Sequence, residues 1–274
     1  MPELPEVETI RKGLAPCLVN VRITSVDIRE SRLRWPVVAA DFSTWIIGNR
    51  IVSVTRRAKY LLWHLDNGAA VIIHLGMSGR LGIFAAESWL ESHTHVIFHL
   101  DTDMQVRYRD PRRFGLVEVV PPKQLETWFR FKNLGLEPLS EAFDHRFVAR
   151  SLKKSKKPIK NWIMDAQNIV GVGNIYANEA LFKAGIHPAR PANSLKNDEQ
   201  RRLVESVKSV LTAAINKGGT TLNDFRNAQS EPGFFQLDLA VYQNAGQVCG
   251  SCGAIIERIV MSGRSTFYCP SCQR

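Results

Sequence analysis

The pattern of apolar and polar positions divides the chain into two halves with different periodicities. Near the start, Val7, Ile10 and Leu14 recur at three-to-four-residue spacing, which predicts an amphipathic helix, and Pro5 suits its first turn. From about residue 21 to residue 120 short apolar runs alternate with Gly, Asn and Asp. These runs predict strands at residues 21–28, 60–65, 70–74, 95–100, 105–109 and 115–120. Several short strands at near-regular spacing favour an antiparallel β-sandwich.

Helical periodicity returns after Pro121-Pro122. It predicts helices at residues 141–151, 159–166, 174–184 and 198–217, with a short one from Thr221. Near the C-terminus, residues 254–261 and 265–268 predict two strands around a Ser262-Gly263 turn. The fold class is therefore predicted as α+β in two domains, with helices flanking the sandwich. The predicted segments are residues 1–122, a linker at 123–140, a helical domain at 141–238 and a C-terminal module at 239–274.

The charge balance indicates a polyanionic partner. The 274 residues include 36 Lys and Arg against 26 Asp and Glu, a formal net charge of +10. The positive electrostatic field of such a chain favours binding to nucleic acid first and to an anionic membrane surface second. No apolar run approaches the roughly 18 residues of a membrane span, which excludes an integral membrane protein. The N-terminus lacks the basic and apolar regions of a secretory signal, so we expect a cytoplasmic location.

Four of the five cysteines crowd the C-terminal module. Cys249 and Cys252 form one pair at x2 spacing, Cys269 and Cys272 form another, and Cys17 stands alone. Four thiolates in two such pairs can complete a tetrahedral shell around one Zn²⁺, which leaves no open position for water and predicts a structural metal. Two disulfides remain the alternative, although the clustering argues for a reducing compartment.

The N-terminus offers a nucleophile. Removal of Met1 would expose the secondary amine of Pro2, and an α-amino group with a pKa near 8 is partly neutral at cytoplasmic pH. An amine that attacks a sugar aldehyde carbon gives an iminium ion and permits elimination, with Glu3 and Glu6 close enough for acid–base work. The alternative is ordinary helix entry, in which Pro and Glu occupy the first turn. The residues alone favour this alternative.

Six motifs in one order give the chain a family resemblance. They are PELPEVETIRKGL, RRAKYLL, HLGMSGRL, YRDPRRFG, NIVGVGNIYANEALF and GRSTFYCPSCQR. Together they resemble the bacterial formamidopyrimidine-DNA glycosylases over essentially the full length. The resemblance implies a helix-two-turn-helix domain, a β-hairpin zinc finger with one structural Zn²⁺, and removal of 8-oxoguanine and formamidopyrimidines from double-stranded DNA. Leu4 favours this branch over the endonuclease VIII-like enzymes, which typically begin Pro-Glu-Gly-Pro-Glu.

The resemblance also implies the catalytic residues. Pro2 would form a Schiff base with C1′ of an extruded nucleotide, and Glu3 would be the general acid for sugar ring opening. Lys59 matches the family lysine that donates a proton during β-elimination. Arg264, just after the predicted turn, matches the finger arginine that grips the phosphate beside the lesion and assists δ-elimination. A solvated basic edge is the alternative for the cluster around Lys59.

Further residues are implied in DNA binding. Met77, Arg112 and Phe114 match the residues that fill the space left by the extruded nucleotide; without the motifs, Met77 and Phe114 would be read as core residues. Phosphate contacts are predicted for His93, Arg112 and Lys160, and Asn174 matches the asparagine of the helix-two-turn-helix motif. Lysines at 153, 154, 156 and 157 add positive charge. Ser155 and Leu136 depart from the family pattern, and a loop over the flipped base is expected within residues 221–235.

Two other functions share this scaffold. One is the pyrimidine-lesion glycosylase, which Leu4 and the Met77, Arg112 and Phe114 set argue against. The other is a catalytically silent protein that binds damaged DNA, which the presence of Pro2, Glu3 and Lys59 disfavours. A zinc-ribbon transcription factor would not need the Pro-Glu pair. We therefore expect a monomeric enzyme that binds DNA, associates with the nucleoid through it, and has no membrane partner.

Overall fold

The computed structural model describes residues 2–218 and 239–274. They form two compact units, one made of residues 2–132 and the other of residues 133–217 and 239–274. The boundary between the units falls inside the segment predicted as a linker. The short helix expected from Thr221 and the loop expected within residues 221–235 lie outside the described residues.

Two four-stranded antiparallel sheets build the first unit. Their orders are β1-β6-β7-β5 and β2-β3-β4-β8. The strands are β1 (Ile23–Ile28), β2 (Ile51–Arg57), β3 (Tyr60–Leu65), β4 (Ala70–His74), β5 (Arg80–Ala85), β6 (Thr94–Leu100), β7 (Met104–Arg109) and β8 (Leu116–Val120). The sequence pattern missed β2 and β5, because β2 ends in two arginines and β5 contains Gly82. Both are specified by their pairing partners, β3 and β7.

The main core of this unit joins both sheets to the helix α1 (Leu4–Leu18). The helix buries Val7, Ile10 and Leu14, the spacing that predicted it. Trp63 of one sheet meets Phe98 of the other edge-on, with ring centroids 4.8 Å apart. A second helix, α2 (Ala39–Trp45), was not predicted, since only Phe42 of its seven residues is buried.

The second unit is helical and includes the cysteine-rich module. Its elements are α3 (His145–Leu152), α4 (Ile159–Met164), α5 (Asn174–Ala184), α6 (Asn197–Asn216), β9 (Glu257–Met261) and β10 (Arg264–Tyr268). Helix α5 ends at Gly185, whose φ of +70° is the left-handed conformation that glycine adopts without strain. None of the helices in the described part of the chain combines the length and apolar composition that a membrane span needs.

The C-terminal hairpin packs directly on the helices of this unit. The backbone N–H of Phe267 in β10 donates to Asn178 Oδ1 on α5 at 2.8 Å, and Gln273 Nε2 donates to the Ile186 carbonyl at 2.9 Å. The sequence predicted a separate module from residue 239. These long-range bonds are made by polar side chains that periodicity does not register, and they attach the module to the helices of the same compact unit.

Candidate active site and metal centre

The N-terminal main chain is fixed by the first turn of α1. The backbone N–H of Glu3 donates to Glu6 Oε2 at 2.7 Å, and both carboxyl side chains are buried. Pro2, directly before Glu3, is half-buried. Glu3 and Glu6 form a reciprocal capping box at the helix entry, in which the Glu3 side chain accepts the Glu6 N–H. The buried Glu3 carboxyl group directly follows Pro2 in the chain. Helix entry and a reactive amine are compatible in this arrangement.

A carboxylate ties α1 to strand β2. Glu8 forms ion pairs with Arg11 at 2.8 Å and with Arg56 at 3.2 Å. Partial burial acts to raise the pKa of Glu8, but the two guanidinium groups outweigh it and the pKa is lowered. These ion pairs hold the end of β2 against α1, and β2 leads directly to Lys59.

Lys59 lies in the tight turn between β2 and β3. Ala58 precedes it with a φ of 54°, a conformation that costs a residue with a Cβ, and its carbonyl accepts a hydrogen bond from Arg56 Nη1 at 2.7 Å. Arg56 therefore joins this turn to Glu8 on α1. Lys59 therefore lies at the tip of a hairpin that the Arg56 contacts with Ala58 and Glu8 hold in place.

His74 lies at the start of the loop that carries Met77, and sequence reasoning did not single it out. Its ring lies 4.8 Å from the Tyr60 ring, and its Nδ1 accepts the Gly76 N–H at 3.0 Å. Burial, assisted by the positive charge of Lys59, lowers the pKa of His74 to about 4. The imidazole is therefore neutral at physiological pH and serves as an acceptor at the start of the loop that carries Met77.

Two loops present the three residues expected to enter the DNA. Met77 lies in the 75–79 loop and is 43% exposed, while Phe114 lies in the 110–115 loop and is 44% exposed. The Arg112 guanidinium lies 4.8 Å from the centroid of the Phe114 ring. The alternative that Met77 and Phe114 are core residues is therefore wrong.

One buried carboxylate connects the two loops. Asp110 is fully buried, and its carboxylate accepts hydrogen bonds from Ser78 Oγ at 2.6 Å, the Tyr108 hydroxyl at 3.1 Å and the Gly115 N–H at 2.8 Å. Ser78 Oγ in turn accepts the Arg112 N–H at 3.2 Å. Sequence reasoning did not single out Asp110, although its motif YRDPRRFG was recognised.

Two glycines allow the loops to approach. A Cβ on Gly76 would lie 2.5 Å from the Phe114 carbonyl carbon, and one on Gly115 would lie 1.7 Å from the Tyr108 hydroxyl. Only glycine fits at these contacts. The loops bearing Met77 and Phe114 therefore form one interlocked structure.

His93 lies on the surface next to this structure. It is exposed with a φ of 63°, and its carbonyl accepts the Asp110 N–H at 3.0 Å. The backbone of Asp110 thus also connects the segment that carries His93 to the two loops.

In the second unit, three side chains hold consecutive residues of β10. Lys160 Nζ donates to Thr266 Oγ1 at 2.6 Å, Asn174 Nδ2 donates to the Ser265 carbonyl at 2.9 Å, and Asn178 binds the Phe267 N–H. Lys160 is only 1% exposed. The sequence predicts a phosphate contact for Lys160, and in the structure its ammonium binds Thr266 of the hairpin. Oδ1 of Asn174 accepts no hydrogen bond among the described residues.

The hairpin turn places Arg264 on the surface. Ser262 and Gly263 both have positive φ, 48° and 72°, which is typical of the two-residue type I′ turn. Asn161 Nδ2 on α4 donates to Ser262 Oγ at 2.8 Å. Arg264 begins β10 directly after this turn and is exposed.

The four cysteines of the module form a compact cluster. The four sulfur atoms all lie within 4.8 Å of one another, and the Cys252–Cys269 and Cys249–Cys272 pairs are 3.4 Å and 3.9 Å apart. Tetrahedral coordination at about 2.3 Å from Zn²⁺ separates sulfurs by about 3.8 Å, whereas a disulfide needs about 2.05 Å. The residues fit one zinc ion, and the two-disulfide alternative is wrong.

The lysine-rich segment follows α3. The lysines at 153, 154, 156 and 157 are exposed. Lys157 pairs with Asp165 at 3.0 Å, and the carbonyl of Ser155 accepts the Asn193 N–H at 2.9 Å. Nothing in the structure explains the serine at position 155.

Family models match most of the chain. Residues 1–117 match the formamidopyrimidine-DNA glycosylase N-terminal domain, and residues 134–226 match the formamidopyrimidine-DNA glycosylase H2TH domain. Residues 246–274 match the zinc finger found in FPG and IleRS.

Full-length relatives and solved structures agree with these matches. Formamidopyrimidine-DNA glycosylases of Laribacter hongkongensis and Rickettsia bellii are 48% and 44% identical to this chain, each over 100% of both chains. A Lactococcus lactis enzyme crystallised with DNA containing an oxidised pyrimidine has a TM-score of 0.91 at 34% identity, covering 100% of both chains. The same enzyme bound to DNA with an abasic site has a TM-score of 0.91 at 32% identity, covering 99% of both chains.

Proposed function

Because this chain belongs to the formamidopyrimidine-DNA glycosylase family, we propose that it is a bifunctional DNA-repair enzyme. It excises 8-oxoguanine and formamidopyrimidines from double-stranded DNA and then cleaves the abasic site by β,δ-elimination. The observation that carries the proposal is the buried Glu3 carboxyl beside Pro2, at a helix entry whose main chain Glu6 fixes.

The reaction begins at the N-terminal amine. After removal of Met1, the Pro2 nitrogen attacks C1′ of the extruded nucleotide, and the bond from C1′ to the base breaks. Glu3 donates a proton to the ring oxygen as the sugar opens, which leaves an iminium ion between Pro2 and C1′. The iminium acidifies C2′–H, and loss of that proton expels the 3′ phosphate. Lys59 supplies protons during this β-elimination. In the δ-elimination that follows, loss of a second proton from the sugar expels the 5′ phosphate.

The two interlocked loops serve base extrusion. An extruded nucleotide costs unstacking energy and leaves a space in the duplex. Met77, Arg112 and Phe114 occupy that space, and His93 contacts a neighbouring phosphate. Their exposure and the shared support of Asp110 suit insertion as one body.

The zinc finger serves phosphate binding. The zinc ion is structural, because four thiolates complete its shell. Arg264 grips a phosphate beside the lesion. Lys160 and Asn174 act through β10, which they hold in place.

The domain roles follow from these assignments. Residues 1–122 form the catalytic domain, residues 123–140 link the domains, and residues 141–238 with the finger at 239–274 bind DNA. The enzyme acts as a monomer in the cytoplasm and is associated with the nucleoid through its substrate.

The proposal is tested by comparing incision at different lesions and by trapping the covalent enzyme–DNA intermediate. Duplexes carrying 8-oxoguanine opposite each base, and duplexes with oxidised pyrimidines, are incubated with the protein in parallel. We expect preferred incision at 8-oxoguanine and borohydride trapping of a covalent adduct at Pro2. Preference for oxidised pyrimidines would favour the pyrimidine-lesion enzyme, and binding without incision would indicate a silent protein.

Two variants separate the roles at the N-terminus. Pro2→Gly should lose most trapping at the N-terminus, and an adduct at a lysine with wild-type yield would contradict the assignment. Glu3→Gln should bind DNA but excise the base at least about 10²-fold more slowly, as expected for loss of a general acid.

A further inference from the structure

The turns around the two cysteine pairs of the zinc finger are closed in different ways. In the first pair, the Gly253 N–H donates to the Cys249 carbonyl at 2.9 Å. The Cys249 N–H donates in turn to the Ala254 carbonyl at 2.8 Å. Gly253 has a φ of +79°, which glycine adopts without strain and which lets the chain fold back directly after the turn. Main-chain hydrogen bonds therefore close the turn around the first pair.

In the second pair a side chain takes the place of one main-chain acceptor. The Gln273 N–H donates to the Cys269 carbonyl at 3.1 Å, as Gly253 does to Cys249. The Cys269 N–H, however, donates to Gln273 Oε1 at 2.9 Å. The Gln273 side chain thus holds Cys269 in the way that the Ala254 carbonyl holds Cys249.

The other end of the Gln273 amide attaches this turn to the helices. Its Nε2 donates to the Ile186 carbonyl at 2.9 Å. Only one orientation of the amide satisfies both contacts, because Cys269 requires an acceptor and Ile186 requires a donor. Gln273 is 2% exposed, so the loss of its amide would leave buried main-chain groups without their partners.

The main chain after Gln273 is bound at the same place. The Arg274 N–H donates to the Gly185 carbonyl at 3.2 Å, and the His187 N–H donates to the Arg274 carbonyl at 3.1 Å. Gly185 is the residue at which α5 ends. The second cysteine pair is therefore anchored at the end of a helix that lies outside the finger.

We propose that Gln273 is a positioning residue for the zinc ion, which holds Cys269 and Cys272 in place for coordination by attaching their turn to the end of α5. Hydrogen-bond partners outside the ligand set orient metal ligands and contribute to metal affinity. A ligand pair that is already held loses less conformational freedom when the metal binds. This role goes beyond the proposed function, because it concerns how the finger keeps its metal.

Zinc retention and DNA binding are separable in this arrangement. Strand β10, which begins with Arg264, is held on the helices by Lys160, Asn174 and Asn178. These hydrogen bonds do not pass through Gln273. Loss of the Gln273 amide should therefore lower the affinity for zinc, while Arg264 keeps its place once zinc is supplied in excess.

The test measures the zinc affinity of the full-length protein by competition with a chromogenic chelator. Gln273→Met keeps the length and apolar stem of the side chain but loses both amide contacts, and it should bind zinc about tenfold more weakly. Gln247→Met is the matched control, because Gln247 is an exposed glutamine of the same finger. Its zinc affinity should equal that of wild type.

Two further measurements distinguish positioning from general destabilisation. With Co²⁺ as a spectroscopic probe, Gln273→Met should reach the wild-type thiolate-to-metal absorption, but at about tenfold higher Co²⁺ concentration. In excess zinc, its affinity for a duplex with an uncleavable abasic-site analogue should equal that of wild type.

Two results would overturn the proposal. One is a wild-type zinc affinity of Gln273→Met, and the other is a loss of DNA binding by this variant that excess zinc does not restore. The second result would mean that Gln273 supports the fold of the finger rather than its metal ligands. The zinc measurement does not depend on the proposed function, which incision of 8-oxoguanine duplexes by the wild type tests separately.

Discussion

Asp110 shows how much of the two interlocked loops depends on a single side chain. Its carboxylate accepts hydrogen bonds from three donors in three segments, and the residue is fully buried. Hydrogen bonds to a buried charge contribute about 1.5–3 kcal/mol each when one partner is lost. A substitution of Asp110 should therefore displace Met77 and Phe114, although neither residue forms one of these three hydrogen bonds.

We predict that Asp110→Ala lowers the free energy of unfolding by about 3 kcal/mol, measured by urea denaturation. Excision of 8-oxoguanine from duplex DNA should fall at least about tenfold. Cleavage of an abasic site in single-stranded DNA, which needs no insertion into a duplex, should fall much less. Asp110→Asn is the matched variant, because Ser78 Oγ can accept from the new amide while the remaining oxygen still serves Tyr108 and Gly115. Equal losses on both substrates would contradict a positioning role.

At the scale of elements, the Glu8 ion pairs that connect α1 and β2 should make the free energy of unfolding depend on pH. The pKa of Glu8 in the folded chain lies below its unfolded value of about 4.3. The ion pairs therefore contribute stability above that value, and the contribution is lost as the pH falls through the folded pKa.

We predict that Glu8→Gln destabilises the protein by about 1–2 kcal/mol at pH 7. The difference from wild type should persist down to about pH 5 and shrink below about pH 4. Urea unfolding at several pH values measures it. Glu141→Gln, which removes an exposed carboxylate of the other unit, should have little effect at any pH. A Glu8→Gln difference that grows towards low pH would refute the assignment.

The zinc finger gives the second prediction at this scale. Cys269→Ala should release zinc and abolish incision, because loss of the metal removes most of the folding free energy of a hairpin with little apolar area. Far-ultraviolet circular dichroism should show that the rest of the chain stays folded. Cys17→Ala, at an exposed cysteine outside the cluster, should keep both zinc and activity. Full incision by metal-free Cys269→Ala would separate the finger from catalysis.

Arg264→Ala tests whether the zinc finger acts by positioning this arginine for DNA binding. We expect weaker DNA binding with zinc still bound, measured by fluorescence anisotropy and metal content. Arg258→Ala, at an exposed arginine on the neighbouring strand, is the control. If the two variants bind DNA equally well, Arg264 has no special role.

At the scale of the whole molecule, the net charge of +10 should dominate binding. Log affinity for duplex DNA should fall linearly with log salt, with a slope of about −0.9 per neutralised phosphate. Titrations between low and physiological salt measure the slope for lesion-containing and undamaged duplexes. A flat response would mean that phosphate contacts contribute little.

The sequence was most informative where periodicity or spacing specifies structure. Helix α1 and the four thiolates of the zinc site were predicted because apolar spacing and paired cysteines are local signals. Strands β2 and β5 were missed because their partners define them. The importance of Asp110 and the burial of Lys160 were not predicted, because burial of a charged side chain depends on residues distant in sequence.

The attachment of β10 to the helices restricts how this protein can change its length during evolution. Lys160, Asn174 and Asn178 bind residues 265, 266 and 267 one after another. A single insertion between the turn and Ser265 would reverse which face of the strand each of these side chains occupies. It would break all three attachments at once. We therefore expect insertions and deletions among relatives to collect in the loop at 243–248, ahead of Cys249, and to be absent from 262–268.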